Sequence, residues 1–144
     1  MTEKEEKKFI EECRSWLGTG WMHAVCVKGF RVDCVHYIIG VAKNMGWIPV
    51  DYEPEPYPHD WALHQTESRL VNELHKYCQL VKIENIKIGD LILYKFGKCN
   101  SHIAWYLGEG KAIHSAEDTG VEEFNMQTEM LAERTIVMRM RNKK

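Results

Sequence analysis

The chain has 144 residues, of which 44% are hydrophobic and 28% are charged, and its 19 basic and 21 acidic residues give a formal net charge of −2. This size predicts one globular domain over residues 1–144, since two halves would each have a marginal core. The absence of excess positive charge argues against a nucleic-acid binder, whose affinity comes from neutralising phosphates. The sequence has no apolar run near the roughly 20 residues that cross a bilayer, so we expect no membrane span.

The first helix is predicted from a capping box, because Thr2 and Glu5 have the spacing at which each side chain bonds the other's backbone. Apolar residues at helical spacing follow, and Gly18 is the expected stop. Residues 19–32 then indicate a loop. The charged start of the chain lacks the apolar core of a secretory signal, so we expect synthesis in the cytoplasm and leave the localisation open.

A second helix is predicted to begin at Cys34, with Asp33 as its N-cap and Gly46 as its end. The four prolines lie close together and predict a surface loop over residues 48–59. A third helix is expected from about Asp60 to about Cys78.

The second half of the sequence changes to the period of β-strands. Strands are predicted at 91–94, 102–107, 111–115 and 135–140, with a turn at 108–110. Helices followed by antiparallel strands predict an α+β fold, with the N-terminal helices packed on a central antiparallel sheet.

The five cysteines are odd in number and include no CxxC pair, which argues against a disulfide framework: Cys13, Cys26, Cys34, Cys78 and Cys99. Most of them are expected to be buried free thiols. His23, Cys26, Cys34 and His36 form a weaker candidate metal site, whose spacing matches no standard zinc pattern. We therefore expect no metal and no other cofactor.

Cys34 differs from the other cysteines because it lies at the predicted start of a buried helix. Unpaired backbone N–H groups and the helix dipole favour a thiolate there and could bind an oxyanion. The neighbouring Asp33 charge opposes the thiolate. The alternative is an inert cysteine on the inner face of the helix.

A nucleophilic thiol needs a base, and two histidines on neighbouring strands are candidates. A three-residue loop at 108–110 would put His102 and His114 on one face of the hairpin as diagonal neighbours. A two-residue loop would put them on opposite faces. In the first case His102 is the base and His114 orients it.

These residues resemble the NlpC family of cell-wall cysteine peptidases, a papain-like group. The motif at the family's nucleophile, Asp-Cys-Ser-Gly, corresponds to residues 33–36, where Val35 and His36 replace serine and glycine. The strand carrying the family's base corresponds to 102–108, and the third catalytic residue corresponds to His114. The segment 18–23 resembles the family's approach to the site, and residues 57–61 resemble a phage-encoded branch.

The resemblance implies a papain-like fold and hydrolysis of peptidoglycan stem peptides, typically between γ-D-glutamate and the diamino acid. It implies that Cys34, His102 and His114 are catalytic and act through a thioester. We expect five further residues to contribute to oxyanion or substrate binding: Trp21, Asp33, Val35, Ser101 and Ser115. Phage tail proteins are a further expected partner, and the two expected locations are a virion tail and a host cell wall. The alternatives are an amidase or acyltransferase acting on a non-wall substrate and an inactive tail-assembly protein.

Overall fold

The computed structural model of the chain describes residues 1–54, 74–96, 99–126 and 135–141. Within these ranges, helices α1 (Glu3–Arg14) and α2 (Cys34–Asn44) accompany a two-stranded ribbon, β1 (Cys26–Val27) and β2 (Arg31–Val32). A six-stranded antiparallel sheet contains the strands β3 (Cys78–Val81), β4 (Leu91–Phe96), β5 (Cys99–Gly108), β6 (Lys111–Ala116), β7 (Gly120–Asn125) and β8 (Ile136–Met140). The predicted α+β class is confirmed.

Helix α1 has the predicted capping box. Thr2 Oγ1 accepts a hydrogen bond from the Glu5 N–H at 3.1 Å, and the Glu5 carboxylate lies 3.4 Å from the Thr2 N–H. The predicted end before Gly18 is wrong, because the helix ends at Arg14. The Ser15 hydroxyl donates a hydrogen bond to the Glu12 carbonyl at 2.6 Å. The Trp16 N–H donates to the Cys13 carbonyl, three residues earlier, instead of to the carbonyl four residues earlier as in a continuing helix. Such local bonds compete with continuation of the helix.

Helix α2 begins as predicted, with Asp33 as its N-cap, and it ends at Asn44, two residues before Gly46. It packs against strands β5 and β6. Its inner face joins a core that contains aromatic rings from both helices and the sheet. In this core, Phe9 stacks on Trp47 and meets the edge of Trp105, with ring centroids 5.3 Å apart in each pair.

The strand order in the sheet is β3-β8-β4-β5-β6-β7, so β4 to β7 form a run of hairpins and β8 inserts between β3 and β4. The predicted strands at 91–94, 102–107, 111–115 and 135–140 are confirmed, with slightly different bounds. Strands β3 and β7, and the ribbon inside the predicted loop at 19–32, were not expected.

The predicted third helix lies mostly outside the described residues. Leu74 and His75 are helical, but the predicted end near Cys78 is wrong, because Cys78 begins strand β3 and pairs with Met140. Residues 48–54 contain no helix or strand, in agreement with the predicted proline-rich loop. The rest of that loop lies outside the described residues. Within the described ranges, no helix has the length and apolar character needed to cross a membrane.

An ion pair joins Asp90, in the turn before β4, to Arg139 on β8. The Asp90 carboxylate is fully buried, and it accepts hydrogen bonds from Arg139 Nε and Nη2, both at 2.8 Å. It also accepts the Lys87 backbone N–H at 2.8 Å. Because the Arg139 guanidinium binds both carboxylate oxygens, the charge of Asp90 is compensated and the turn before β4 is fixed to β8.

Candidate active site

The turn between β5 and β6 decides on which face the two histidines lie. Its loop contains two residues, Glu109 and Gly110, both with positive φ (53° and 74°) as in the tight hairpin turns that match strand twist. Gly108 pairs with Lys111, but Tyr106 already pairs with Ala112, so Leu107 is an extra, bulged residue. A two-residue loop alone would place His102 and His114 on opposite faces of the hairpin. The extra residue in the bulge reverses this and returns them to the same face.

The two imidazoles therefore lie on one face and contact each other. His102 Nε2 is 3.0 Å from His114 Nδ1, and the ring centroids are 4.7 Å apart. Two further side chains complete a cluster: Glu122 Oε2 is 2.8 Å from His114 Nε2, and Tyr94 Oη is 2.5 Å from His114 Nδ1. Both histidines are buried, His102 to 5% exposure and His114 to 0%.

The register of the sheet explains this cluster. Tyr94 on β4 pairs with His102 on β5, and His114 on β6 pairs with Glu122 on β7. Four consecutive strands thus contribute one side chain each. Directly opposite residues in neighbouring strands place their side chains on the same face, which is why the four groups converge.

Burial keeps both imidazoles neutral. Desolvation holds the pKa of His102 well below its ordinary value, and a positive charge on His114 would lower it further. Desolvation also lowers the pKa of His114, and the hydrogen bond and charge of Glu122 oppose this shift. At neutral pH each ring therefore carries one proton, and its position is set by its hydrogen-bonding partners.

The partners assign the protons. The Glu122 carboxylate only accepts, so Nε2 of His114 carries the proton and donates. Nδ1 of His114 is then an acceptor for the His102 Nε2–H and the Tyr94 hydroxyl. Nδ1 of His102 consequently holds a lone pair, which is the state that a general base requires.

Cys34 is the first residue of α2, and its partly buried side chain packs against the core. The preceding Asp33, 2% exposed, has both carboxylate oxygens engaged. Oδ1 accepts the His36 backbone N–H at 2.7 Å and lies 3.0 Å from Nδ1 of the His36 ring. Oδ2 accepts the Ala24 N–H at 2.7 Å. Asp33 therefore caps the helix and holds the loop that leads to it.

A buried hydrogen bond connects the start of α2 to the histidine strands. The Ser115 hydroxyl donates to the Val32 carbonyl at 2.6 Å, and Ser115 is fully buried. Ser115 follows His114, and Val32 lies two residues before Cys34. At the other end of this region, the Val121 N–H donates to the Thr19 carbonyl at 2.9 Å. The segment before the thiol and the strands with the imidazoles are thus joined at two points.

The other predicted site residues lie around this region. The Trp21 carbonyl accepts a hydrogen bond from Arg31 Nη1 at 3.3 Å, and the Trp21 side chain is half-buried. Val35 is partly buried and packs against the core. Ser101 lies in β5, and its side chain is outside the described part of the structure. Their roles in binding stay predictions.

The candidate metal ligands do not assemble into a site. The Cys26 thiol is exposed at the ribbon, with its sulfur 3.6 Å from the His36 carbonyl oxygen. In the part of the chain that the structure describes, no three His, Cys, Asp or Glu side chains are grouped so that they could hold a metal ion.

Tyr94 and Glu122 are members of the cluster that sequence reasoning missed. The sequence contains a signal for Tyr94, because a hairpin from the strand at 91–94 to the strand at 102–107 pairs Tyr94 with His102. Glu122 gives no such signal, since the two adjacent charges of Glu122 and Glu123 disrupt the apolar alternation that identifies a strand.

The helices packed on an antiparallel sheet, with the thiol at a helix start and the imidazoles on the sheet, define a papain-like fold. The model of the NlpC/P60 family matches residues 19–140. This chain belongs to the NlpC/P60 family. The predicted family is confirmed.

Solved structures agree with this fold. An NlpC/P60 family protein from Bacillus cereus ATCC 10987 is 25% identical with a TM-score of 0.64, over 96% of this chain and 40% of that protein. The peptidoglycan hydrolase RipB from Mycobacterium tuberculosis is 15% identical with a TM-score of 0.62, over 98% of this chain and 66% of that protein.

A curated relative extends the comparison to sequence. The chain is 39% identical over 57 residues to the gamma-DL-glutamyl hydrolase of Bacillus subtilis (strain 168), which is 37% of this chain. The chain spans only 14% of the length of that relative.

Proposed function

We propose that this chain is a cysteine hydrolase in which Cys34 is the nucleophile, His102 the base and His114 the group that orients it. The observation that carries the proposal is the contact between two buried imidazoles on one face of the sheet, 3.0 Å apart. Helix α2 packs against the two strands that carry these imidazoles, and Cys34 is its first residue.

The mechanism is acyl transfer. The Cys34 proton passes to Nδ1 of His102 as the sulfur attacks the carbonyl carbon of the substrate, and the backbone N–H groups at the start of α2 stabilise the oxyanion. The His102 imidazolium then returns the proton to the leaving amine, and a thioester remains. Water, activated by His102, cleaves the thioester and releases the acid.

The substrate we propose is the stem peptide of peptidoglycan, cleaved between γ-D-glutamate and the diamino acid. Two relatives support this class: RipB is named a peptidoglycan hydrolase, and the curated relative is named for hydrolysis at glutamyl groups. Val35 and His36, in place of the serine and glycine of the family's motif, change the surface beside the thiol. Action at a host cell wall is part of the proposal. The phage-related origin stays a prediction, because residues 57–61 lie outside the described ranges.

The test compares Cys34→Ala with Cys26→Ala, since Cys26 is an exposed thiol at the neighbouring ribbon. Each protein is incubated with a purified stem tetrapeptide that contains the γ-D-glutamyl–diamino acid bond, and with a γ-glutamyl-glutamate dipeptide. Products are identified by mass spectrometry. We expect Cys34→Ala to lower the rate by several orders of magnitude, because the covalent route is lost, and Cys26→Ala to leave the rate unchanged.

Three results would contradict the proposal or one part of it. Full activity of Cys34→Ala would exclude the nucleophile. Turnover of neither peptide, together with alkylation of Cys34 by iodoacetamide no faster than that of Cys26, would favour the inactive tail-assembly protein. Rapid alkylation of Cys34 without turnover of either peptide would instead favour an amidase or acyltransferase with a non-wall substrate.

A further inference from the structure

We propose that Glu122 is a positioning residue of this site, which extends the relay to four members, Cys34, His102, His114 and Glu122, by fixing the proton of His114 on Nε2. The inference rests on the proposed function, because it concerns the same thiol and the same base. It assigns a role to a strand that the catalytic motifs do not include.

The geometry indicates that Glu122 determines which ring nitrogen of His114 carries the proton. Its carboxylate oxygen lies 2.8 Å from Nε2 of a fully buried ring, and the two residues are directly opposite in β6 and β7. A carboxylate can only accept here, and a hydrogen bond to a charged acceptor is roughly twice as strong as one between neutral groups. The tautomer of His114 with its proton on Nδ1 would lose this bond and place a lone pair against the carboxylate.

The position of the proton on His114 determines the position of the proton on His102. With the proton on Nε2, Nδ1 of His114 accepts from the Nε2–H of His102 at 3.0 Å. This leaves the lone pair of His102 on Nδ1. In the opposite arrangement, His114 would donate to His102, whose own proton would then lie on Nδ1 and prevent it from acting as a base.

Tyr94 has a smaller, separate role. Its buried hydroxyl also donates to Nδ1 of His114, and its ring meets the edge of the His102 ring with centroids 5.4 Å apart. The hydroxyl can donate or accept, so it adapts to either tautomer. Glu122 cannot adapt, and the charge it carries also compensates the imidazolium that forms when His102 takes the thiol proton.

The experiment compares Glu122→Gln with Glu123→Gln. Glu123 is the next residue on β7, and its carboxylate pairs with Arg14 on α1 at 3.0 Å instead of with a histidine. Both variants remove one negative charge from the same strand. Tyr94→Phe serves as a third variant, since it removes the other partner of His114 Nδ1.

Two measurements are made on each protein. Nitrogen-15 NMR of the imidazoles identifies which nitrogen of His114 carries the proton, without any substrate. The pH profile of kcat/KM with the stem tetrapeptide, and of Cys34 alkylation by iodoacetamide, then reports on the base.

We expect wild type, Glu123→Gln and Tyr94→Phe to keep the His114 proton on Nε2, and Glu122→Gln to populate both tautomers, because a glutamine amide can donate as well as accept. Glu122→Gln should lower kcat/KM and the alkylation rate of Cys34 about tenfold to a hundredfold, by analogy with the loss of a partner that orients a metal-bound histidine. Glu123→Gln should change neither rate by more than about twofold.

The proposal is overturned if wild-type His114 carries its proton on Nδ1. It is also overturned if Glu122→Gln matches Glu123→Gln in tautomer and in both rates. If wild type cleaves no stem peptide while Glu122→Gln still shifts the tautomer and slows alkylation, the substrate assignment fails and the role of Glu122 stands.

Discussion

Replacing Asp33 by alanine removes two contributions together. One is the cap of helix α2, and the other is the loop clamp, the hydrogen bond by which Asp33 holds the Ala24 N–H of the preceding loop. Loss of an N-cap costs about 1 kcal/mol. The bond from the Ala24 N–H to the buried carboxylate is of the charged type, and leaving it unmade costs about 1.5–3 kcal/mol. We therefore expect Asp33→Ala to lower the free energy of unfolding by about 2.5–4 kcal/mol, which corresponds to roughly 8–13 °C in Tm for a chain of this size.

Asp33→Ser separates the two contributions. A serine hydroxyl can cap the helix, but it has one oxygen and cannot also reach the Ala24 N–H, which bonds the second carboxylate oxygen at 2.7 Å. This variant should lose about 1.5–3 kcal/mol. Asp118→Ala, an exposed residue in the turn between β6 and β7, is the control and should stay within about 0.5 kcal/mol of wild type.

The assay is unfolding in urea followed by tryptophan fluorescence and by far-UV circular dichroism. If Asp33→Ala stays within about 0.5 kcal/mol of Asp118→Ala, the two bonds contribute nothing to stability and the reasoning fails. If Asp33→Ser is as destabilised as Asp33→Ala, the clamp alone matters and the cap does not.

Three further predictions concern stability. Ser115→Ala should cost about 1–3 kcal/mol in urea unfolding, because a buried carbonyl loses its donor; a loss below about 0.5 kcal/mol would contradict this. Gly120→Ala should lower the free energy of unfolding more than Gly46→Ala does. Both glycines have positive φ, but of the two only Gly120 has a backbone carbonyl where the added methyl would lie. Equal losses of stability in the two variants would count against this steric clash. The free energy of unfolding should fall as the pH drops below about 6.5. The folded pKa values of His102 and His114 are depressed, so the unfolded chain binds more protons than the folded protein in this range. A free energy of unfolding that stays constant between about pH 7.5 and 5.5 would argue against buried neutral rings.

The sequence predicts those parts of the site that depend on local signals. The Asp33 cap and the start of α2 at Cys34 follow from residues next to each other in the chain. The face of the two histidines does not, since it depends on whether the strand bulges at Leu107. A bulge is set by packing on both sides of the sheet, so the spacing of His102 and His114 leaves two outcomes open.

The strands that the sequence does not predict have physical reasons in common. Strand β7 places the charged Glu122 on the side of the buried His114, which breaks the apolar alternation. Strand β3 lies at the edge of the sheet, and its Leu80 is 59% exposed, so it also lacks an alternating pattern. Strand β3 also depends on β8, a partner distant in the chain, and short-range patterns do not contain that information.

The insertion of β8 between β3 and β4 affects the order in which the chain can fold as it leaves the ribosome. Strands β4 to β7 are sequential hairpins and can pair as they are synthesised. The strands that carry the two imidazoles are therefore joined by short loops, which close faster than long ones. Among the described strands, β3 pairs with β8 alone, and Asp90 meets Arg139 only when β8 arrives. A nascent chain would thus keep an unpaired edge and an uncompensated carboxylate until its final described strand is translated, and we expect chaperone contact to concentrate in that interval.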